Sequence, residues 1–171
     1  MKLLTPKSRS FNNTPYSKSQ FVFLPPNPKP QKMTKSEILT ACNNMCKNTL
    51  METLDIEFTD VGDDFLVARM PVTPRIHQPD GVLHGGASVA LAESVGSAGA
   101  FIFLNSDEVV IRGLEISANH VKSVRDGYVY AHASILHKGR TTQLWQIKIT
   151  NEEGDLVSLV KLTTITLPKR N

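Results

Sequence analysis

Cysteine is scarce in this chain. Only Cys42 and Cys46 occur among 171 residues. Their four-residue spacing suits one face of a helix, but two thiols do not make a zinc site, and they read as reduced thiols of a cytoplasmic protein. Tryptophan occurs once, at Trp145, and aromatic residues make up only 6% of the chain. No segment reads G-x-x-x-x-G-K-[ST], which excludes a phosphate-cradling loop of that type, and no G-x-S-x-G elbow is present for a serine hydrolase. The five histidines form no tight metal-ligand cluster, and neither His77 nor His132 is given a role. No long apolar run follows the first lysine, so a secretory signal is not expected.

Acidic residues are missing altogether from positions 1–36, which hold seven of the 19 Lys and Arg. The remainder carries 12 basic against 16 acidic residues, a net of −4 beneath the formal +3 of the whole chain. A mildly acidic body without a basic stripe excludes an ordinary nucleic-acid-binding domain. Residues 1–33 hold six of the ten prolines, as in "FLPPNPKPQ", and read as a disordered or dispensable basic extension. Residues 34–168 are expected to form a single domain.

Within that body, Thr34 followed by Glu37 is a capping-box signature, and Ile38, Leu39, Cys42, Met45 and Cys46 continue at helical spacing. The run "LDIEFTDVGDDFLVARMPV" alternates and breaks at Gly62-Asp63-Asp64, which predicts a hairpin. A loop through Pro79-Asp80-Gly81 leads into a long apolar helix from Gly86 to about Leu104. Its length approaches that of a membrane span, but Ala, Gly and Ser surround a Glu in place of Leu and Ile, so no membrane role is expected. Four strand-like runs follow: 109–121, 128–137, 143–150 and 156–167. The expected class is α+β, an antiparallel sheet wrapped on one hydrophobic helix.

Glu93 is the anomaly. A carboxylate inside an apolar, buried helix must be paired, be neutralised or have a use. Gln78 lies in the preceding loop, His84-Gly85-Gly86 opens the helix, and Ser97 follows Glu93 at i+4 on the same face. A helix N-terminus offers free N–H groups and positive potential, and glycine lets a substrate oxygen approach them. That combination polarises a carbonyl, and a nearby carboxylate activates water or attacks, so the expected chemistry is acyl transfer to water. Gly85 and Glu93 are eight residues apart. The separation is about 12 Å along a helix axis, too far for both to act on one carbon within one chain. Two antiparallel copies of the helix across a two-fold axis bring Glu93 of one subunit to Gly85 of the other. A homodimer is therefore expected to be required for activity.

The segment "HQPDGVLHGGASVALAESVGSAGA" resembles the active-site segment of hotdog-fold acyl-CoA thioesterases. It is most similar to the 4-hydroxybenzoyl-CoA, Arthrobacter-type, branch. The likeness continues through "GLEISANHVKSVRDG", "LHKGRTTQLWQI" and "KLTTITL", covering roughly residues 50–167. The resemblance implies a hotdog fold, a homotetramer built from dimers, and no metal or cofactor. It implies Glu93 as nucleophile or general base, Gly85 as the carbonyl-polarising N–H, and Gln78 as the residue orienting substrate and water. Ser97 would hold the water and His84 would buttress the turn. His120 would line the acyl pocket. His137, Lys138, Gly139 and Arg140 match a turn associated with the CoA pantetheine and nucleotide, where cations suit phosphate. Lys122 and Arg125 are weaker phosphate candidates. The implied reaction is hydrolysis of an aromatic acyl-CoA thioester, dihydroxynaphthoyl or hydroxybenzoyl, the former in menaquinone biosynthesis. A broad housekeeping or phenylacetate-pathway thioesterase shares every one of these residues. A non-catalytic acyl-CoA-binding hotdog protein is the reading from another class.

Overall fold

A computed structural model describes residues 33–104 and 109–169. The basic Pro-rich extension lies outside the described residues, except Met33. Helix α1 (Lys35–Met45) starts as expected, with the Thr34 hydroxyl accepting from the Glu37 N–H at 3.3 Å and Glu37 reaching back to the Thr34 N–H at 2.8 Å. A short helix α2 (Leu50–Thr53) and a 3-10 turn (Pro74–Ile76) were not expected from the pattern. Strands β1 (Glu57–Val61) and β2 (Phe65–Pro71) form the hairpin around Gly62-Asp63-Asp64. Helix α3 (Gly85–Leu104) is followed by β3 (Val109–His120), β4 (Tyr128–Lys138), β5 (Thr142–Thr150) and β6 (Leu156–Pro168).

The six strands make one antiparallel sheet in the order β1-β2-β4-β5-β6-β3. Period-2 alternation puts Leu66, Ala68 and Met70, then Val129, Ala131 and Ala133, then Trp145, Ile147 and Ile149 on one buried face. Helix α3 packs across that face and touches every strand from β2 to β6. Its buried residues are Ser88, Leu91, Ala92, Val95, Gly96, Gly99 and Ala100, a stripe at helical spacing. Small residues in the stripe admit the sheet closely. A Cβ on Gly96 would meet Leu162 at 2.6 Å, and one on Gly99 would meet the Trp145 ring at 3.1 Å. The helix is long and apolar enough to cross a membrane. In this chain one face of it is the core of the sheet.

The opposite face of α3 is bare, which corrects the expectation of a buried helix. Gly86, Glu93 and Phe101 are exposed there. The two sheet edges also differ. At β1 the Asn43 side chain accepts from the Phe58 N–H at 2.8 Å and donates to the Phe58 carbonyl at 3.0 Å, so α1 covers that edge. Strand β3, 12 residues long, forms the other edge and pairs only with β6 among the described strands.

Candidate active site

The loop before α3 is held by backbone bonds that close locally. The Gln78 N–H donates to the Val82 carbonyl at 2.9 Å, and the Gly81 N–H to the Gln78 carbonyl at 3.0 Å. Gly81 sits at φ +76, a left-handed conformation that glycine adopts without steric cost. The Leu83 N–H donates to Val124 at 2.8 Å and the His84 N–H to Ile76 at 2.9 Å, so the loop is pinned on both sides of its tip.

At the start of α3 the donors are shared out unevenly. The Ala87 and Ser88 N–H groups both reach the His84 carbonyl, at 3.0 and 3.3 Å. The Gly86 N–H donates to Nδ1 of His84 at 2.8 Å, so the His84 ring caps the helix much as an N-cap side chain does. An accepting ring nitrogen carries no proton, which places the ring hydrogen on Nε2. The Gly85 N–H is left without an acceptor among the described residues. His120, at the end of β3, presses against this glycine, because a Cβ on Gly85 would lie 2.9 Å from its Nε2. A cleft of about 250 Å³ opens here, lined by Gln78, Gly85, Ser88, His120, Lys122 and Ser123 among others. A larger, more open groove between α1 and β1 shares none of these residues.

Glu93 does not line this cleft. It stands on the bare face of α3, and its Oε1 lies 2.8 Å from where a Cβ on Gly113 would be. Gly113 adjoins a bulge in β3, between Gly113 and Glu115. The carboxylate therefore rests against the edge strand where that strand has no side chain. It is exposed in the single chain and not buried as expected. Ser97, half-buried, follows one turn later on α3. One chain thus carries the open Gly85 N–H at one place and the Glu93 carboxylate at another.

The His137–Arg140 turn lies elsewhere. The Gly139 N–H donates to the Thr142 carbonyl at 2.8 Å and closes the turn, and His137 and Arg140 are exposed. Lys138 donates to the Phe103 carbonyl at 2.8 Å, which places its cation at the negative C-terminal end of α3. Eighteen residues of helix separate Phe103 from Gly85, about 27 Å, so one chain does not bring this turn to its own cleft. Lys122 borders the cleft, but its ammonium is paired with Asp155. Its hydrogen bond to Asp155, followed by one from Asn151, holds the Asp155 carboxyl below the usual carboxylate range. Among the described residues no group of three or more His, Cys, Asp or Glu is placed to hold a metal ion. Burial pushes the Cys42 thiol up to about 11, and Cys46 upward as well, which makes both poor nucleophiles.

The family model described as Thioesterase superfamily matches residues 80–158. The chain is 47% identical over 129 residues to the 1,4-dihydroxy-2-naphthoyl-CoA hydrolase of Escherichia coli, covering 75% of this chain and 94% of that one. The chain belongs to the thioesterase superfamily. It is also 45% identical over 126 residues to a proofreading thioesterase of Cronobacter turicensis, with 74% and 91% covered. Among solved structures, a mutant thioesterase of Pseudomonas aeruginosa superposes with a TM-score of 0.76 at 38% identity, covering 82% of this chain and 98% of that one. The architecture is thus the hotdog fold, and this thioesterase is an enzyme of the thioester-hydrolase class. Sequence reasoning passed over Ser88 and Ser123 in the cleft. The signal for Ser88 was available, since it follows Gly85 at i+3 and so shares its helix face.

Proposed function

We propose that this thioesterase hydrolyses an aryl-CoA thioester at sites shared between two subunits. The observation that carries the reading is the unclaimed Gly85 N–H in a cleft beside Gln78 and His120. A thioester carbonyl oxygen bound there gains a donor at the positive end of α3, where negative charge develops as the carbonyl becomes tetrahedral. Glu93 of the partner subunit removes a proton from the attacking water, or itself attacks the carbonyl. The carbon–sulfur bond breaks, and CoA leaves as the thiol while the acyl group leaves as the acid. Gln78 orients substrate and water, Ser97 holds the water, and His84 keeps the Gly86 N–H occupied so that the Gly85 N–H stays available. The scheme uses no metal or cofactor. The acyl group proposed is 1,4-dihydroxy-2-naphthoyl, the group in the name of the Escherichia coli relative, and the role proposed with it is a step of menaquinone biosynthesis in the cytoplasm.

What one chain leaves bare supports the proposal of a second subunit. Phe101 (50% exposed) on α3 and Leu114 (58%) and Val121 (62%) on or just beyond β3 are apolar side chains left open on the helix and edge strand that bear Glu93 and the cleft. Edge β3 is open while edge β1 is covered by α1, so a two-fold pairing at β3 with antiparallel α3 helices hides this apolar surface. With Glu93 opposite Gly85, the partner's Phe103 falls about 15 Å beyond Gly85 along the axis. The partner's His137–Arg140 turn then stands on the side where the pantetheine arm and nucleotide leave the cleft. Tetramers arise by pairing of such dimers.

Two measurements test the reading. Thiol release from a panel of benzoyl, 4-hydroxybenzoyl, 1,4-dihydroxy-2-naphthoyl, phenylacetyl and hexanoyl thioesters of CoA should favour the 1,4-dihydroxy-2-naphthoyl group by about tenfold or more in kcat/KM, or about 1.4 kcal/mol. Flat activity would point to a broad housekeeping enzyme. Shared sites are tested by mixing subunits. Glu93→Ala and Gln78→Ala proteins, each nearly inactive, should regain about a quarter of wild-type activity after denaturation and refolding together, because random dimers include hybrids with one intact site. No recovery would place both groups in one chain's site.

A further inference from the structure

We propose, on the basis of the hydrolase reading above, that Ser88 selects acyl groups carrying a hydroxyl on the ring carbon next to the thioester carbonyl. Three hydroxyl side chains are buried among the described residues: Ser88, Ser158 and Thr164. Ser158 donates to the Asn119 carbonyl at 3.2 Å, and Thr164 to the Gln143 side chain at 2.8 Å. Ser94, on the same helix as Ser88, donates to the Ala90 carbonyl at 2.8 Å, the usual local partner of a helical serine. Ser88 is only 2% exposed, yet its hydroxyl has no hydrogen-bond partner among the described residues. It lines the same cleft as Gln78, Gly85 and His120. Among the described residues, the fully buried side-chain atoms without a partner are His77 Nε2 and Trp145 Nε1, so the Ser88 hydroxyl is not sealed off, and a molecule bound in the cleft that Ser88 lines can supply the partner it lacks.

Its position sets what that partner is. Ser88 lies three residues after Gly85, about 4.5 Å along the axis, and helical side chains lean back toward the N-terminus. Its Oγ therefore sits beside the place of an oxygen held by the Gly85 N–H, and not on it. The substrate atom that meets Ser88 is a neighbour of the carbonyl. On an aryl thioester, that neighbour is a substituent on the adjacent ring carbon. The 1-hydroxyl of a 1,4-dihydroxy-2-naphthoyl group occupies this place, whereas a 4-hydroxybenzoyl group carries its hydroxyl at the far end of the ring. A hydroxyl both donates and accepts, so Ser88 and an ortho hydroxyl satisfy one another.

The test compares benzoyl-CoA, 2-hydroxybenzoyl-CoA and 4-hydroxybenzoyl-CoA with the wild-type protein and with Ser88→Ala. The wild type is expected to favour the 2-hydroxy thioester over the other two by about tenfold in kcat/KM, as a site built to bond a hydroxyl does. Ser88→Ala should bring that ratio close to one, with the loss falling on the 2-hydroxy thioester. Ser88→Cys, which nearly keeps the volume but bonds weakly, should lose the preference as well and guards against a packing defect. A ratio that survives both substitutions overturns the proposal, and so does an equal fall on all three thioesters, which would make Ser88 a carbonyl-binding or structural residue. No thiol release from any of the three would overturn the hydrolase reading and this proposal with it. Release without a Ser88-dependent ratio overturns this proposal alone.

Discussion

Glu93→Ala is expected to lower kcat for thioester hydrolysis by about 10²–10⁴-fold, the range lost with a general base. KM should change little, because the carboxylate acts on the developing transition state and contributes little to ground-state binding. Stability should also change little. Glu93 is exposed on the bare face of α3, and no ion pair involves it among the described residues. Substitutions at such positions usually shift stability by no more than about 0.5 kcal/mol. A structural carboxylate would give the reverse pattern, with a lower Tm and preserved turnover. Retention of more than a tenth of wild-type activity would rule out Glu93 as base or nucleophile. Gly113→Val provides a second arm that leaves the carboxylate in place chemically. The new side chain begins 2.8 Å from the present position of the Glu93 Oε1, so the carboxylate must swing aside. Valine is well suited to a strand, so the fold should persist while kcat falls.

Trp145→Ala is expected to cost about 3–5 kcal/mol of folding stability, as for other buried aromatic truncations. That is a large share of the roughly 5–15 kcal/mol available to a domain. Trp145 is fully buried on β5, and its ring lies over the position where a Cβ on Gly99 would come within 3.1 Å. It also stacks on Phe103 with ring centroids 6.0 Å apart. The indole thus fills the gap that the small residues of α3 leave under the sheet, and its loss leaves a cavity along the helix that carries Gly85 and Glu93. Urea unfolding at fixed protein concentration measures the loss. Trp145→Phe should be much milder, because most of the ring is kept. The indole Nε1 has no acceptor among the described residues, so deleting that buried N–H offsets part of the lost packing. A cost below about 1 kcal/mol for Trp145→Ala would mean that α3 and β5 close over the gap without help from the indole.

Much of this enzyme was legible along the chain. The Thr34–Glu37 capping box, the hairpin around Gly62-Asp63-Asp64, the long apolar helix and the four later strands all appear where expected, within a residue or so at their ends. These features depend on interactions between residues a few positions apart, and propensity, capping and turn chemistry act at that range. The helix spacing behind the two-subunit proposal was legible for the same reason. A helix has a rigid rise per residue, so the separation of Gly85 from Glu93 follows from counting.

What the sequence did not contain was which distant segments meet. It suggested a buried Glu93, because apolar composition does not say which helix face a sheet will cover. The tertiary structure covers the stripe from Ser88 to Ala100 and leaves Glu93 bare against Gly113. Lys138, and more weakly Lys122, looked free for phosphate in the sequence. Folding brings Phe103 to the first and Asp155 to the second, 35 and 33 residues away. His120 reaches Gly85 only because β3 lies at the sheet edge beside the start of α3, and Ser88 joins them in one cleft only once the sheet has formed. The chain alone therefore determined its local elements, the chemistry of the helix start and the distance between donor and carboxylate. Long-range packing decided which of those groups are occupied and which stay open to a substrate, because closing loops of thirty residues or more depends on the burial of the whole core and on no local signal.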